Sequence, residues 1–230
     1  LFVTLCMSHK TTQIGKLFYF LNTDLMLRKA SIHMVLKFCE ALQTEGADVS
    51  LVVPSVSRKS LDYVAEMYGI KKPFKVVSLH AFNPFSKNAS ERVINGMLYP
   101  MLSLLYMVLK KPDVIYIRDP RLLRVVCKIR NKIYWLFRKS QVVAEVHELY
   151  SDITEKREEK MEKEMFNFRT VDNVVVMTSQ FKNILMSRGL EQKKIIVAHD
   201  GVDLKMFHPL DKEKARKKLA LPGRERIIVY

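Results

Sequence analysis

The sequence predicts an α/β domain with a doubly wound, mostly parallel, Rossmann-like sheet. The first observation is a series of short apolar, β-branched runs with little polar alternation, which is typical of strands buried on both faces of a parallel sheet. The second is that helical patterns lie between these runs, as in chains of β-α-β units. The third is composition: 48% of the 230 residues are hydrophobic and 27% are charged, which suffices for a sizeable core.

Seven strands and six helices follow from these patterns, in alternating order. Each predicted strand is a run of four to six mostly apolar residues, and these runs cover residues 17–21, 49–53, 74–79, 114–117, 142–146, 174–177 and 195–198. The predicted helices lie between or after them and cover residues 31–45, 60–68, 91–109, 122–137, 153–168 and 179–187. We expect Ser31 and Asp119 to cap helices, and Pro120 suits a first helical turn.

The chain is predicted to have three segments. Residues 1–15 form an N-terminal extension without fixed structure, residues 16–209 form the Rossmann-like domain, and residues 210–230 form a basic linker with the first strand of a further domain. The last prediction rests on the Lys- and Arg-rich stretch after Pro209, the break at Pro222 and Gly223, and the apolar run that begins near residue 226. We therefore expect a C-terminal domain that this chain lacks.

The charge balance indicates an anionic partner. There are 39 Lys and Arg against 24 Asp and Glu, a net charge of +15, which suits a nucleic acid, a phosphorylated metabolite or an acidic membrane surface. No RNP-like or helix-turn-helix pattern accompanies the basic residues, so nucleic acid is not the expected partner.

Missing motifs exclude other classes of protein. No GxGxxG or GxxxxGK[ST] sequence occurs, which excludes the dinucleotide fingerprint and the P-loop. Cys6, Cys39 and Cys127 are odd in number, widely separated and without metal-binding spacing. We therefore expect reduced cytosolic thiols, no metal site and no cofactor.

Ligands of doubly wound sheets bind outside the carboxyl ends of the strands, so the loops there are the candidate sites. After the first strand, two cations and a helix N-terminus would suit a phosphate, although an unoccupied basic loop has the same appearance; the residues are Arg28, Lys29, Ala30 and Ser31. After the fourth strand, Arg118 is placed to contact a ligand or to pair with Asp119.

His147 and Glu148 follow the fifth strand. An imidazole there can contact a sugar hydroxyl or act as an acid or base, or it is an ordinary surface histidine. Glu145 lies inside the strand and must be paired or functional, because an unpaired carboxylate in an apolar run is costly. After the seventh strand, Gly201 permits close approach to a ligand or a positive φ.

Two amphipathic segments have two interpretations. Residues 118–139 hold eight basic residues and one acidic residue along a helix with one apolar face. Residues 96–109 are almost wholly apolar, are interrupted by Pro100 and are too few to span a bilayer. The first segment either packs in the core with a solvated basic back or docks on an anionic membrane, and the second is a buried or interfacial helix.

Five segments together resemble the N-terminal domain of GT-B-fold glycosyltransferases of the family 4 type. Residues 31–54 resemble the first helix and second strand of that family. The other segments are KPDVIYIRDP (111–120), VVAEVHELY (142–150), VDNVVVMTSQFKNIL (171–185) and IIVAHDGVDLKMFHP (195–209). The last is similar to the family pattern vxNGVDxxxFxP, and the resemblance covers residues 16–209.

This resemblance implies retaining sugar transfer from a nucleotide-sugar, with this domain on the acceptor side and a C-terminal domain holding the nucleotide. It implies that His147 faces the donor sugar, that residues 28–31 approach the diphosphate, and that Gly201 and Asp203 lie at the interdomain crevice. The rest of the predicted cleft consists of Arg118, Glu148, Ser179 and Asp200.

The expected partners are a UDP- or GDP-sugar, a sugar or lipid-linked acceptor, the missing C-terminal domain and an anionic membrane surface. We expect a cytoplasmic protein attached peripherally to the inner face of the membrane. The chain departs from the family at Lys29 and Ala30, where a Gly-Gly pair is common, and at Asp200, where Asn is usual. The main alternative is a non-catalytic α/β module that binds a nucleotide or another anion. The 230-residue chain is expected to fold without transferring sugar on its own.

Overall fold

The structure, a computed structural model, describes residues 15–27, 29–54, 56, 58–79, 89–137, 139–149, 152, 157–202, 204, 207–223 and 225–227. The chain forms two compact units, one that ends at His199 and one that begins at Asp200. Apart from Gly15, the predicted N-terminal extension lies outside the described residues, as do residues 228–230 of the predicted last strand. The predicted domain limits therefore stay predictions.

The first unit is built on a seven-stranded parallel sheet. Its strands are β1 (Lys16–Phe20), β2 (Asp48–Val53), β3 (Lys75–Ser78), β4 (Val114–Ile117), β5 (Gln141–Val146), β6 (Asn173–Val176) and β7 (Ile195–Val197). Their order is β3-β2-β1-β4-β5-β6-β7, and every neighbouring pair is parallel. The seven predicted strands and the doubly wound α/β fold are confirmed. The winding direction reverses between β1 and β4, and the carboxyl ends of the strands at such a reversal are where doubly wound sheets bind their ligands.

The helices are α1 (Ala30–Thr44), α2 (Arg58–Met67), α3 (Ala89–Lys110), α4 (Pro120–Lys132), α5 (Arg157–Thr170) and α6 (Ser179–Ser187) in the first unit and α7 (Lys212–Lys218) in the second. Short 3₁₀ turns occupy Tyr134–Phe137 and Gln192–Lys194. Helix α7 lies in the stretch that the sequence suggested was a linker. Residues 153–156 of the predicted fifth helix lie outside the described residues.

The end of one predicted helix is wrong. The helix predicted for residues 122–137 ends at Lys132, and a separate 3₁₀ turn follows, because Ile133 leaves helical geometry with φ −133° and ψ 63°. The helix predicted for residues 91–109 includes Pro100, and α3 does continue through this proline. A proline inside a helix removes one backbone hydrogen bond, and here the helix continues because its inner residues pack on the sheet.

Each face of the sheet has its own apolar layer. Helices α1 and α2 cover one face, where Ile32, Leu36 and Val64 belong to the same buried cluster as Tyr19 and Leu51. Helices α3 to α6 cover the other face through a second buried cluster that includes Tyr99, Leu122, Met165, Phe168 and Leu185. Because strand residues alternate between the faces, every second side chain of β1, β4 and β5 points toward α1.

Candidate active site at the carboxyl edge of the sheet

The reversal point of the sheet places β1, β4 and β5 side by side. Phe20 of β1 is the register partner of Ile117 of β4, and Ile117 is the partner of Ala144 of β5. The residues that follow these strands therefore meet at one edge. They include Asn22, two residues after β1, and Arg118, directly after β4.

A buried carboxylate joins the three strands at this edge. Glu145 of β5 accepts a hydrogen bond from the Tyr19 hydroxyl of β1, at 2.7 Å from Oη to Oε2. The guanidinium of Arg118, directly after β4, lies 3.5 Å from Glu145 Oε1. Nε2 of His147 also contacts Oε1. The Glu145 side chain is only 8% exposed, so these contacts replace the water that an ionised carboxylate would otherwise need. We call these four residues the Glu145 cluster.

The same contacts decide the ionisation of the cluster. Burial opposes ionisation of Glu145, but the hydrogen bond from His147, the charge of Arg118 and the hydrogen bond from Tyr19 outweigh it and lower the pKa of the carboxyl. Burial, followed by the negative charge of Glu145, raises the pKa of the Tyr19 hydroxyl well above its ordinary value. Tyr19 is therefore a neutral hydrogen-bond donor to a charged acceptor.

The cluster holds His147 at the carboxyl edge of the sheet. His147 lies one residue beyond β5, and its side chain is 26% exposed. Because Nε2 is engaged by Glu145, a ligand contact of this ring falls to Nδ1. A histidine held by a carboxylate in this way has a fixed ring orientation, which is the arrangement that general acid–base and hydrogen-bonding roles require.

Asn22 and Asp119 form a second polar pair at the same edge. Asn22 Nδ2 donates to Asp119 Oδ2 at 3.3 Å, and Asp119 Oδ1 accepts from the backbone N–H of Leu122 at 2.7 Å. Asp119 is thus the N-cap of α4 with Pro120 in the first turn, as predicted. Within the described residues, Oδ1 of Asn22 is buried without a hydrogen-bond partner. It is an acceptor available to a ligand hydroxyl or amide.

The first loop differs from its prediction. Lys29, in extended geometry, is the N-cap of α1 and makes no side-chain capping bond. Ser31 is therefore the second helical residue and not the cap, because α1 begins at Ala30, one residue earlier than predicted. Lys29 and Ala30 are exposed and Ser31 is partly exposed, while Arg28 lies outside the described residues. The N-terminus of α1, the positive end of the helix dipole, still lies at this edge of the sheet.

Three more residues of the predicted cleft follow β4, β5 and β6. Glu148 is exposed, two residues beyond β5. Ser179 is the first residue of α6 after β6, and Thr178 caps that helix by accepting from the Phe181 N–H at 3.1 Å. Arg118 pairs with Glu145, and its alternative pairing with Asp119 is not seen.

The second unit contains Asp200 and Gly201, both of which are exposed. The φ of Gly201 lies outside the left-handed region, so the positive φ that the sequence left open is not present. Asp203 lies outside the described residues.

The edge therefore gathers two of the predicted cleft residues, Arg118 and His147, around a carboxylate. Sequence reasoning predicted that Glu145 needs a partner, but it missed Tyr19 and Asn22. A tyrosine inside a strand resembles any core aromatic, whereas Asn22, as the first polar residue after β1, was a signal that could have been used. Among the residues the structure describes, no three His, Cys, Asp or Glu side chains gather as metal ligands do.

The seven-stranded doubly wound sheet with helices on both faces defines a Rossmann-like α/β domain. The family model for Glycosyltransferase Family 4 matches residues 33–206. The chain belongs to glycosyltransferase family 4, and its fold is that of the N-terminal domain of GT-B glycosyltransferases.

Individual relatives are more distant. A stretch of 60 residues is 35% identical to a D-inositol 3-phosphate glycosyltransferase of Mycobacterium tuberculosis and covers 26% of this chain and 12% of that protein. Sucrose-phosphate synthase of Thermosynechococcus elongatus has a similar fold, with a TM-score of 0.62 at 16% identity over 91% of this chain and 54% of that one. The Anabaena protein Alr3699/HepE, solved with UDP-glucose, has a TM-score of 0.57 at 10% identity over 90% and 50%. The chain thus spans about half the length of these solved structures.

Proposed function

We propose that this chain is the acceptor-side domain of a glycosyltransferase that moves a sugar from a nucleotide-sugar to an acceptor with retention of anomeric configuration. The observation that carries the proposal is the Glu145 cluster, which fixes His147 and Arg118 at the reversal point of the sheet. This edge is where doubly wound sheets bind their ligands.

In this proposal the residues at the carboxyl edge of the sheet contact different parts of the donor and acceptor. His147 contacts the donor sugar through Nδ1, and Arg118 together with the basic N-terminus of α1 stabilises the negative charge that develops on the departing diphosphate. Asn22 Oδ1 accepts a hydrogen bond from a sugar or acceptor hydroxyl. Retention requires that the acceptor oxygen bonds to the anomeric carbon on the face that the diphosphate leaves.

The donor is proposed to be a UDP- or GDP-sugar, and family membership together with the relative solved with UDP-glucose supports this class. We propose that a second domain binds its nucleotide, because sugar transfer requires donor and acceptor to be held in one geometry. On this proposal the 230-residue chain alone is inactive.

A lipid-linked or membrane-proximal acceptor is proposed on the basis of charge, with the protein in the cytoplasm at the inner face of the membrane. The net charge of +15 favours an anionic surface. Among the helices that the structure describes, none is long and apolar enough to cross a membrane.

The proposal is tested by incubating the protein made from the complete reading frame, and separately the 230-residue chain, with UDP- and GDP-sugars and a crude lipid acceptor fraction. We expect the complete protein to form a product whose anomeric configuration, read by NMR, matches that of the donor. Product with inverted configuration would contradict retention. Binding of nucleotide-sugar without any transfer would favour the non-catalytic module, and turnover of ~1 per second by the chain alone would contradict the division of roles.

A further inference from the structure

Between Met97 and Leu109, the exposed residues of α3 are all apolar. Met97, Met101, Leu105 and Leu109 are between 55% and 67% exposed and are spaced four residues apart, so they form a stripe along one side of the helix. No charged residue occurs between Met97 and Leu109. Surface helices ordinarily have polar outer faces, so this stripe, which we call the α3 stripe, needs a partner.

The α3 stripe is not part of the core. The opposite side of α3 packs on the sheet, where Tyr99 and Met107 are buried and the Tyr106 ring stacks on Phe18 with centroids 5.3 Å apart. Tyr99 also donates a hydrogen bond to the carbonyl oxygen of Val52 at 2.9 Å. These contacts fix the rotation of α3, and the stripe therefore points away from the sheet.

Positive charge lies next to the stripe. Helix α4 packs on the same face of the sheet and against α3, and its outward side carries the exposed residues Arg121, Arg124, Lys128 and Lys132. We call this set the α4 ridge. Lys110 and Lys111, also exposed, lie at the end of the stripe beside Leu109.

A groove on the far side of the α4 ridge extends the surface. It has a volume of about 320 Å³ between α4 and α5 and is lined by Arg124, Lys128, Glu162, Lys163, Phe166 and Asn167. Glu162 is an acid facing three bases, and Lys163 is also engaged by Glu159 on its own helix. The Phe166 ring is 42% exposed. The groove thus combines a mostly positive lining with an exposed apolar side chain, Phe166, in addition to those of the α3 stripe.

We propose that the α3 stripe and the α4 ridge together form a docking surface for an anionic lipid bilayer. Apolar side chains enter the boundary between headgroups and acyl chains, while the adjacent cations attract acidic headgroups. A second copy of the chain is disfavoured as the occupant, since each copy carries a net charge of +15 and the two ridges would repel each other.

The docking surface reaches the edge of the sheet that carries the Glu145 cluster. Helix α4 begins at Pro120, directly after Arg118 and Asp119, so its exposed Arg121 lies at that edge. A bilayer on this surface would bring a lipid-linked acceptor toward the candidate site. This link rests on the proposed function, whereas the docking surface depends only on its own residues and is tested without a nucleotide-sugar.

The test measures binding of the 230-residue chain to vesicles by flotation. Vesicles of phosphatidylcholine with phosphatidylglycerol are compared with vesicles of phosphatidylcholine alone. We expect at least tenfold stronger binding to the anionic vesicles at low salt. The double variant Met101→Gln/Leu105→Gln should lose at least tenfold in binding, and Arg124→Gln/Lys128→Gln should lose most of the preference for anionic vesicles.

The matched control is Tyr63→Gln, which changes a 44% exposed side chain on α2, on the opposite face of the sheet. It should bind vesicles within twofold of the parent chain. Circular dichroism checks that each variant is folded. If Met101→Gln/Leu105→Gln is not folded, the variant Leu105→Trp provides the test. Its Trp fluorescence should shift to the blue with anionic vesicles, relative to the parent chain, which has one Trp.

Several results would overturn the proposal. One is equal binding of the parent chain to neutral and anionic vesicles. Another is unchanged binding by folded Met101→Gln/Leu105→Gln, and a third is no blue shift in Leu105→Trp. If the parent chain does not bind vesicles but self-associates, and Met101→Gln/Leu105→Gln abolishes this self-association, the α3 stripe would instead contact a second copy of the chain. Each of these results leaves the proposed sugar transfer intact, since no nucleotide-sugar is present.

Discussion

The substitution Glu145→Gln tests the cluster that organises the candidate site. It removes the negative charge and nearly preserves the shape of the side chain. A glutamine oxygen can still accept from the Tyr19 hydroxyl, now 2.7 Å from the carboxylate. The ion pair with Arg118 and the charge-assisted bond with His147 are lost.

The expected loss of stability follows from burial. Glu145 is 8% exposed and Arg118 is 21% exposed, so the arginine can recover part of its hydration when its partner is removed. Breaking a fully buried pair costs about 3–5 kcal/mol, and a hydrogen bond to a charged group contributes about 1.5–3 kcal/mol. Because Arg118 is only partly buried, we expect the free energy of unfolding to fall by about 2–3 kcal/mol at pH 7.

The pH dependence has a definite sign. Contacts in the folded state lower the pKa of Glu145 below its ordinary value of 4.5. Its contribution to stability is therefore full above about pH 4.5 and is lost as the pH falls through the folded-state pKa. The difference between wild type and Glu145→Gln should therefore not decrease until the carboxyl itself titrates.

Urea unfolding of the 230-residue chain, followed by circular dichroism from pH 8 to pH 3, measures both effects. Glu191→Gln is the matched control, because Glu191 is an exposed carboxylate paired only with exposed Lys193 among the contacts seen in the described structure. It should leave the free energy of unfolding unchanged within error. A loss below ~0.5 kcal/mol for Glu145→Gln, the range of an exposed pair, or a difference that grows toward pH 3, would refute the reasoning.

Three further predictions concern the same unit. Asp119→Ala should lower the free energy of unfolding by about 1 kcal/mol, because the α4 cap is lost; an unchanged urea midpoint would contradict this. Cys39 and Cys127 should not react with a thiol reagent at pH 8 until the protein is unfolded, because both are buried and burial raises the pKa of Cys127 to about 12; rapid modification of either in the native protein, located by mass spectrometry, would contradict it. Arg130→Met should destabilise the chain by about 1–3 kcal/mol in urea unfolding, since Arg130 is 8% exposed and binds Asp172 at 2.8 Å; a more stable variant would show that packing outweighs the pair.

The strands were predictable from the sequence because burial on both faces requires continuous apolar runs. Every strand of the sheet therefore left a clear pattern, and the residues after β4 and β5, Arg118 and His147, could be assigned to the carboxyl edge. The partners of those residues could not be assigned. The contact of Tyr19 with Glu145 joins residues 126 positions apart, and only the strand order brings them together.

Helix limits and exposed faces were less predictable. Ser31 has the right chemistry for a cap, but the path of the chain out of β1 starts α1 at Ala30 and leaves Lys29 as the cap. The run 96–109 is apolar on all sides in sequence, so it does not reveal which side faces solvent. The packing of Tyr99 and Met107 on the sheet settles this and leaves Met101 and Leu105 outside.

The central claim is that His147, held by Glu145, contacts the donor during sugar transfer. Its most direct test is the turnover number of the protein made from the complete reading frame, compared with His147→Ala and with Glu40→Gln. Glu40, on α1, is also a carboxylate with a lowered pKa. Burial would raise this pKa, but the backbone N–H groups of Lys71 and Lys72 and the ammonium of Lys37 outweigh burial. Lys71 and Lys72 precede β3, at the edge of the sheet opposite His147. We predict that His147→Ala lowers kcat by at least ~100-fold, while folded Glu40→Gln keeps it within about threefold. A His147→Ala protein that transfers sugar as fast as the wild type would contradict the account.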